Sequence, residues 1–213
     1  MSRKALKHLR ADLVLARVID AVGPCRFAKI PAPSHFAALC RDIIYQQLSG
    51  RAAEAIHIRF KALHGAAHPS PARLLKTPEA SLRGAGLSRG KVAFLRDLAA
   101  KSESGELPLD SLHELPDAEL IATVTTVKGI GPWTAQMFLI FHLGRPDVLP
   151  GLDLGIRKAV QRAWKLRQLP TAEKVQKLGA NWSPHATIAT WYLWRSLDIQ
   201  EKNPNRPKKM RGV

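Results

Sequence analysis

The sequence predicts an all-α protein, because apolar residues repeat with helical period along most of the chain. They recur at steps of three and four residues, as on one face of an amphipathic helix. Polar residues and prolines suited to helix starts precede these segments, and glycines follow several of them. The alternation of apolar and polar residues that is typical of half-buried strands is weak throughout. A chain of 213 residues has room for one domain made of two packed helical lobes.

Two helices are expected to meet at a turn near residue 50. The first has an apolar face on which Gln47 is the one polar member. The residues of this face are Phe36, Leu39, Cys40, Ile43, Ile44, Gln47 and Leu48. Ser49 and Gly50 can cap or turn a helix, and a second apolar run then extends over residues 52–63 and ends near Gly65.

A second pair of helices is predicted around a tight loop near residue 85. Thr77 is expected as an N-cap with Pro78 at the first helical position, and this short helix ends at residues 84–86. Ser88 then caps another helix. Its apolar stripe consists of Val92, Leu95, Leu98 and Ala99.

Two further helices, over residues 116–126 and 133–143, are separated by a glycine hairpin. Gly129 and Gly131 flank Ile130, which is expected to pack inward and close the hairpin. A phosphate can reach backbone N–H groups in such a turn, and the dipole of the outgoing helix favours negative charge there. Two glycines alone are also compatible with an ordinary helix connection.

The last predicted helices begin at capping residues. Asp153 precedes a helix that extends to residue 163, and Pro184 precedes a final helix. Trp191 and Trp194 of that final helix are expected to be core aromatic residues.

The charge balance points to a polyanionic partner. Lys and Arg outnumber Asp and Glu by 33 to 17, which gives a net charge of +16. Nucleic acid is the first partner to consider, and a merely basic protein is the alternative. Basic residues within the predicted helices should give the folded domain a positive face; they include Arg157, Lys158, Arg162, Lys165 and Arg167. We expect one domain over residues 1–199 and a flexible basic tail over residues 200–213.

Other classes of protein are disfavoured by composition. Cys25 and Cys40 are too few for a disulfide framework and lack the spacing of a zinc or iron–sulfur site, so no such metal is expected. No apolar stretch is long enough to span a membrane. We expect a protein of the cytoplasm, associated with the nucleoid.

Residues 127–135, Val-Lys-Gly-Ile-Gly-Pro-Trp-Thr-Ala, resemble the helix-hairpin-helix motif of a superfamily of DNA glycosylases. In that superfamily a Gly/Pro-rich loop and an essential aspartate follow the hairpin, and residues 148–157 supply both, with Asp153 at the aspartate position. Further similarity extends over residues 45–50, 82–99 and 191–195. The resemblance implies a two-lobed helical fold with a DNA-binding cleft between the lobes and an activity on damaged bases in double-stranded DNA.

The resemblance assigns a catalytic role to Asp153. In the superfamily, the carboxylate faces a flipped-out nucleotide, stabilises the oxocarbenium-like sugar and orients the attacking water, much as carboxylates do in glycoside hydrolysis. An aspartate directly before a helix is also an ordinary N-cap, so a purely structural role is the alternative.

Members that also cut the strand keep a lysine in the outgoing helix of the hairpin, where this chain has Trp133. The resemblance therefore implies hydrolysis by water alone, leaving an abasic site. It is closest to the 3-methyladenine DNA glycosylase II branch, in a compact form without the β-rich N-terminal lobe. An aromatic pocket in that branch accepts cationic alkylated purines. The expected pocket residues are Trp133, Met137 and His185.

The resemblance also indicates how DNA is held. Gln47, with Leu48 and Ser49 beside it, corresponds to the residues that fill the gap left by a flipped nucleotide; a buried Gln bonded to backbone is the alternative. The expected phosphate contacts are Lys128, Gly129, Gly131 and Thr134. Hairpin carbonyls around residues 127–130 are candidates for a monovalent cation, and no other cofactor is expected.

One departure and two rival functions qualify this interpretation. His185 and Ala186 stand where the family usually has an aromatic residue and an arginine, which alters one wall of the pocket. The rivals are a glycosylase of the same fold for deaminated or mismatched bases, and a non-catalytic module that only grips phosphates. We expect a monomer in either case.

Overall fold

The computed structural model describes the backbone of residues 3–201 and the side chains of residues 3–199. Within this range there is no β-strand, so the predicted all-α class is confirmed. Of the basic tail predicted over residues 200–213, residues 200 and 201 belong to the last described helix, and residues 202–213 lie outside the described residues. The α-helices in chain order are α1 (Arg3–Leu9), α2 (Leu13–Val22), α3 (His35–Tyr45), α4 (Gly50–Ala62), α5 (Pro71–Lys76), α6 (Glu79–Gly84), α7 (Arg89–Ser104), α8 (Asp117–Val124), α9 (Pro132–Phe138), α10 (Leu154–Ala163), α11 (Ala172–Gly179) and α12 (Ala186–Glu201).

The chain divides into two compact units. Among the described residues, the terminal unit contains residues 3–28 and 145–201, and the central unit is Lys29–Gly144. Two short 3₁₀ segments, Leu109–Glu114 and Ala180–Trp182, and one π-helical turn, Leu139–Leu143, add to the α-helices.

The terminal unit is built around α12, which packs against α2 and α10. Its core includes two buried aromatic residues, Trp182 and Tyr192, and aliphatic residues from the neighbouring helices. Burial of each large side chain contributes roughly 1.5–3 kcal/mol before the entropy cost of folding. The Asp12 carboxylate caps α2 through the N–H groups of Val14 and Leu15 and also accepts a hydrogen bond from Trp182 Nε1 at 3.0 Å.

The central unit is built around α3 and α7. Helix α3 packs against α4, α7 and α9, and α7 also packs against α5 and α6. Fully buried side chains from these helices form its core; they include Leu39, Ile43, Phe60, Leu95, Leu98 and Phe138. The core holds in place two segments singled out by the sequence analysis, the turn after α3 and the hairpin before α9.

Several sequence-based boundaries are corrected by the structure. Thr77 does not cap the helix that follows it; its hydroxyl bonds to Arg73 O, because Thr77 ends α5, a helix that periodicity did not predict. Helix α3 ends at Tyr45, so Gln47 does not lie on its apolar face. The short helices α1, α2 and α11 were also not predicted.

Candidate active site

The hairpin of the central unit is closed by buried side chains. Val127 and Ile130 are buried, and the N–H of Ile130 donates to Val127 O at 3.1 Å, as predicted for an inward-facing Ile130. Gly129 has φ +79°, and a Cβ atom at this position would overlap the ring of Phe94. Only glycine satisfies both the backbone conformation and the close approach at Gly129.

The outer part of the hairpin leads into α9. Gly131 is the exposed N-cap of α9 and has open space around it, and Pro132 occupies the first helical position. The N–H of Lys128 donates to Asp97 Oδ2 at 2.8 Å, and its ammonium lies 3.7 Å from Asp97 Oδ1 while staying largely exposed. Thr134 is buried. Lys128 and Gly131 thus face solvent, whereas the hydroxyl of Thr134 is engaged inside the protein.

The turn between α3 and α4 (residues 46–49) exposes the residues predicted to fill a gap in DNA. Gln47 is exposed with φ +55°, Leu48 is 40% exposed, and Ser49 caps α4 through its hydroxyl. The alternative for Gln47, a buried Gln bonded to backbone, is wrong. The residue that makes backbone bonds is its neighbour Gln46, whose amide donates to Gly129 O at 2.9 Å and to Thr134 Oγ1 at 3.2 Å.

Asp153 begins α10 in the terminal unit. Its Oδ1 accepts hydrogen bonds from the N–H of Ile156 at 2.7 Å and from Trp194 Nε1 at 3.0 Å. Gly155 allows this arrangement, since a Cβ there would lie 3.0 Å from Asp153 Oδ1 and 3.3 Å from the Trp194 ring. Asp153 is therefore the N-cap of α10, a position compatible with both interpretations, and its carboxylate also accepts a hydrogen bond from α12.

The loop that leads to Asp153 is held by α11 and α12. The hydroxyl of Thr187 donates to Arg145 O and accepts from the N–H of Val148, while Gln176 donates to Leu149 O at 2.8 Å. Gly151 is buried there, and a Cβ would lie 3.0 Å from the carbonyl oxygen of residue 172. These bonds give the loop a defined path into α10.

The predicted base-pocket residues differ in exposure. Trp133 is 43% exposed and Met137 is buried, both on α9 of the central unit. His185 belongs to the terminal unit, is partly buried, and packs edge-on against His8 at 5.5 Å between ring centroids. Trp133 is thus the pocket candidate with the largest exposed aromatic surface.

Sequence reasoning missed one contact in each of the two units. Trp194 was expected to be a core residue, as Trp191 is, but it is only partly buried and donates to Asp153. Lys91 of α7 is not among the predicted site residues, yet its ammonium donates to Ile44 O at 2.6 Å and Gln46 O at 2.8 Å. Burial lowers the pKa of Lys91. Neither contact leaves a local signal, because the partners are 41 or more residues apart in sequence.

The described residues form neither a cluster of metal ligands nor a membrane-spanning helix. In the part of the chain that the structure covers, no three His, Cys, Asp or Glu side chains are grouped to hold a metal ion. No helix within residues 3–201 combines the length and apolar character needed to cross a membrane.

Residues 40–185 match the HhH-GPD superfamily of base excision DNA repair proteins. This range contains the 46–49 turn, the hairpin and Asp153. The chain belongs to this superfamily.

Relatives with similar sequences or structures are consistent with that class. The chain is 36% identical to DNA-3-methyladenine glycosylase 1 of Schizosaccharomyces pombe, over 97% of this chain and 92% of the relative. The fold is similar to a crystal structure of DNA-3-methyladenine glycosidase from Bacillus halodurans, with a TM-score of 0.82, 32% identity and coverage of 94% and 92% of the two chains. It is also similar to the S. pombe 3-methyladenine DNA glycosylase solved in complex with abasic DNA, with a TM-score of 0.79, 35% identity and coverage of 90% and 95%. The predicted family and enzyme class, a DNA glycosylase, are confirmed.

Proposed function

We propose that this glycosylase flips alkylated purines such as 3-methyladenine out of double-stranded DNA and hydrolyses their N-glycosidic bond, leaving an abasic site. The observation that carries the proposal is the carboxylate of Asp153, held at the start of α10 by Ile156 N–H and Trp194 Nε1 in a chain of this superfamily. The names of the relatives, which specify 3-methyladenine, support the substrate class.

The chemistry assigned to Asp153 is stabilisation of a developing sugar cation. As the bond from C1′ to the base nitrogen breaks, its electron pair leaves with the base and positive charge spreads over C1′ and the ring oxygen. A carboxylate beside this charge lowers the barrier because it is already oriented when the charge appears. Water then adds to C1′ and releases a proton, with Asp153 orienting the water.

Water is the proposed nucleophile because the side chain at position 133 carries no amine. A lyase reaction needs an amine that attacks C1′ to form a Schiff base. Trp133 cannot do so, and we therefore expect a monofunctional enzyme whose product strand is intact until alkali is added.

The preference for alkylated purines rests on aromatic recognition of a cation. The face of a tryptophan ring attracts a cationic base by about 0.5–2 kcal/mol, depending on desolvation. The Trp133 side chain is 43% exposed, and Met137 and His185 are proposed as further residues that contact the base. An attraction of this size is too weak to select one base alone. It therefore favours recognition of a group of cationic or electron-poor bases.

DNA is proposed to be held at two places in the central unit. The hairpin grips a phosphate through N–H groups at Gly129 and Gly131, the first turn of α9 including Thr134, and the exposed ammonium of Lys128. Gln47 and Leu48 fill the space left by the flipped nucleotide, with Ser49 contacting the backbone nearby.

A monovalent cation at the hairpin belongs to the same proposal. The carbonyls of Val127 and Gly129 each accept one hydrogen bond, from Ile130 N–H and from Gln46, and a carbonyl has a second lone pair for a cation. A bound cation would supply positive charge between hairpin and phosphate. We further propose that the protein acts as a monomer in the cytoplasm, in association with the nucleoid.

Incubation with methylated duplex DNA tests the proposed function. The wild-type protein is expected to release free methylated purines and to leave sites that break only after alkali. Absence of released purines refutes the substrate class, and strand cutting without alkali refutes the monofunctional mechanism.

A further inference from the structure

The exposed turn of residues 46–49 is poorly supported by its own backbone. The N–H of Gln46 reaches Ile43 O and the N–H of Leu48 reaches Tyr45 O, both at 3.4 Å, which is long for N–H···O bonds. Gln47 adds a positive φ that a non-glycine residue adopts at a cost. A turn of this kind keeps one conformation only if side chains from elsewhere hold it.

Lys91 supplies the first of these supports. Its ammonium donates to Ile44 O and Gln46 O, two carbonyls at the end of α3 that lack partners within the helix. A cation at a helix C-terminus also interacts favourably with the helix dipole. Lys91 is partly buried, and its ammonium bonds to these protein carbonyls.

Gln46 supplies the second support, because its side chain joins the turn to the hairpin. Its backbone carbonyl is held by Lys91, while its side-chain amide donates to Gly129 O and Thr134 Oγ1. Gly129 is the tip of the hairpin and Thr134 is in the first turn of α9. A charge-assisted hydrogen bond joins Lys91 to Gln46, and an amide hydrogen bond joins Gln46 to Gly129. Together these bonds link the exposed turn to the hairpin.

We propose that Lys91 and Gln46 are positioning residues that couple the hairpin's hold on the DNA backbone to insertion of the Gln47 and Leu48 turn into the duplex. This inference rests on the proposed DNA-binding role of both segments. Unstacking a base costs a few kcal/mol, and a preorganised turn recovers more of that cost than a mobile one. The coupling acts on insertion rather than on bond cleavage.

Two variants remove the link at different points. Lys91→Met keeps the length of the side chain but loses the charge and both donors. Gln46→Glu keeps the shape of the side chain but places an acceptor against Gly129 O. Lys101→Met is the matched control, since Lys101 lies on the same helix α7 and is paired with Glu106 on the surface.

The experiment follows insertion directly, by the fluorescence of 2-aminopurine placed beside an abasic-site analogue in a duplex. Fluorescence is recorded at saturating protein, and Kd for an undamaged duplex of the same length is measured separately. The wild type and Lys101→Met are expected to give a full rise in fluorescence. Lys91→Met and Gln46→Glu are expected to lower the equilibrium constant for insertion about tenfold with little change in Kd for the undamaged duplex. The double variant should lose little more than either single variant, because the two act in one chain of bonds.

Three outcomes overturn the coupling: no fluorescence rise with the wild type, full rises with both variants, or equal loss of insertion and undamaged-duplex affinity. Gln46 is partly exposed, so Gln46→Glu keeps the test valid should Lys91→Met fail to fold. None of these readouts requires base release. A protein that inserts its turn but releases no methylated purine contradicts the proposed function and leaves the coupling intact.

Discussion

Two indoles in the terminal unit bond to aspartates that cap helices, and only one of these aspartates is proposed to take part in chemistry. Trp194 donates to Asp153 and Trp182 donates to Asp12, each at 3.0 Å. The two pairs share donor, acceptor and distance. They therefore separate the effect of losing such a bond on stability from its effect on catalysis.

We predict that Trp194→Phe slows single-turnover excision about tenfold, because the Asp153 carboxylate loses the indole donor and with it part of its orientation. The affinity for DNA should be nearly unchanged. Trp182→Phe should lower thermal stability, since Trp182 is fully buried, and keep the wild-type rate once folded. Equal slowing by both substitutions would mean that the Trp194 bond has only a structural effect.

At the scale of elements, the hairpin offers a matched pair of glycines. Gly129→Ala should destabilise the protein by more than about 1 kcal/mol, since an L-residue is strained at φ +79° and its Cβ would overlap Phe94. Gly131→Ala should change stability little, because Gly131 has negative φ and open space around it. Urea unfolding compares the two variants. Similar stabilities would contradict the tight packing inferred at the hairpin tip.

Helix α4 carries a histidine whose ionisation should make stability depend on pH. His57 is buried and its Nε2 lies 3.1 Å from His68 Nε2. Burial, with the neighbouring His68 and Lys61, lowers the pKa of His57 from 6.5 to about 4. As pH falls, the unfolded chain therefore takes up this proton before the folded chain does. The free energy of unfolding is unaffected by protonation of His57 above pH 6.5 and decreases as pH falls toward 4.

The free energy of unfolding of the wild type should fall between pH 6.5 and 4. We predict that His57→Phe makes this fall smaller, by at most about 3 kcal/mol. Burial also lowers the pKa values of His64 and His68, so part of the slope should remain. His113→Gln, a change at an exposed histidine of the same unit, serves as the control. A slope identical to the wild type in His57→Phe would show that His57 does not drive the acid sensitivity.

The sequence predicted elements better where the signal was local. Asp153 was identified because the capping position and the preceding loop are contiguous in the chain, and Ile130 because glycines flank it. The start of α5 was missed although Ser70 and Pro71 carry the same signature that was assigned to Thr77 and Pro78. Six-residue helices bury too few residues for periodicity to choose between such starts. The carbonyls at the end of α3 accept hydrogen bonds from Lys91, a contact that no local pattern could indicate.

At the scale of the whole molecule, the family and the fold class followed from the sequence, whereas the contacts that orient site residues did not. The bonds of Trp194, Lys91 and Gln46 join residues far apart in sequence, so they require the folded chain. The net charge, by contrast, can be counted from the sequence without knowing any contact. The exposed basic residues on and after α10 include Lys158, Arg162, Lys165 and Arg167.

We predict that DNA affinity falls steeply with salt. Neutralising about four phosphates would weaken binding roughly a hundredfold between about 50 and 200 mM salt. Fluorescence anisotropy over this range measures the slope of log Kd against log salt, and Lys158→Gln should reduce it by about one if that residue's exposed charge meets a phosphate. A flat response would contradict the inferred positive face.

The central claim is that the Asp153 carboxylate stabilises the reacting sugar. Asp153→Asn tests it most directly, because an Asn oxygen can still cap α10 and accept from Trp194 while the negative charge is lost. The measurement is the single-turnover rate of methylated purine release at saturating enzyme, with Kd for abasic DNA measured alongside. We expect the rate to fall at least about a hundredfold while folding and DNA affinity are retained. A rate close to the wild type in the folded, DNA-bound variant would contradict it.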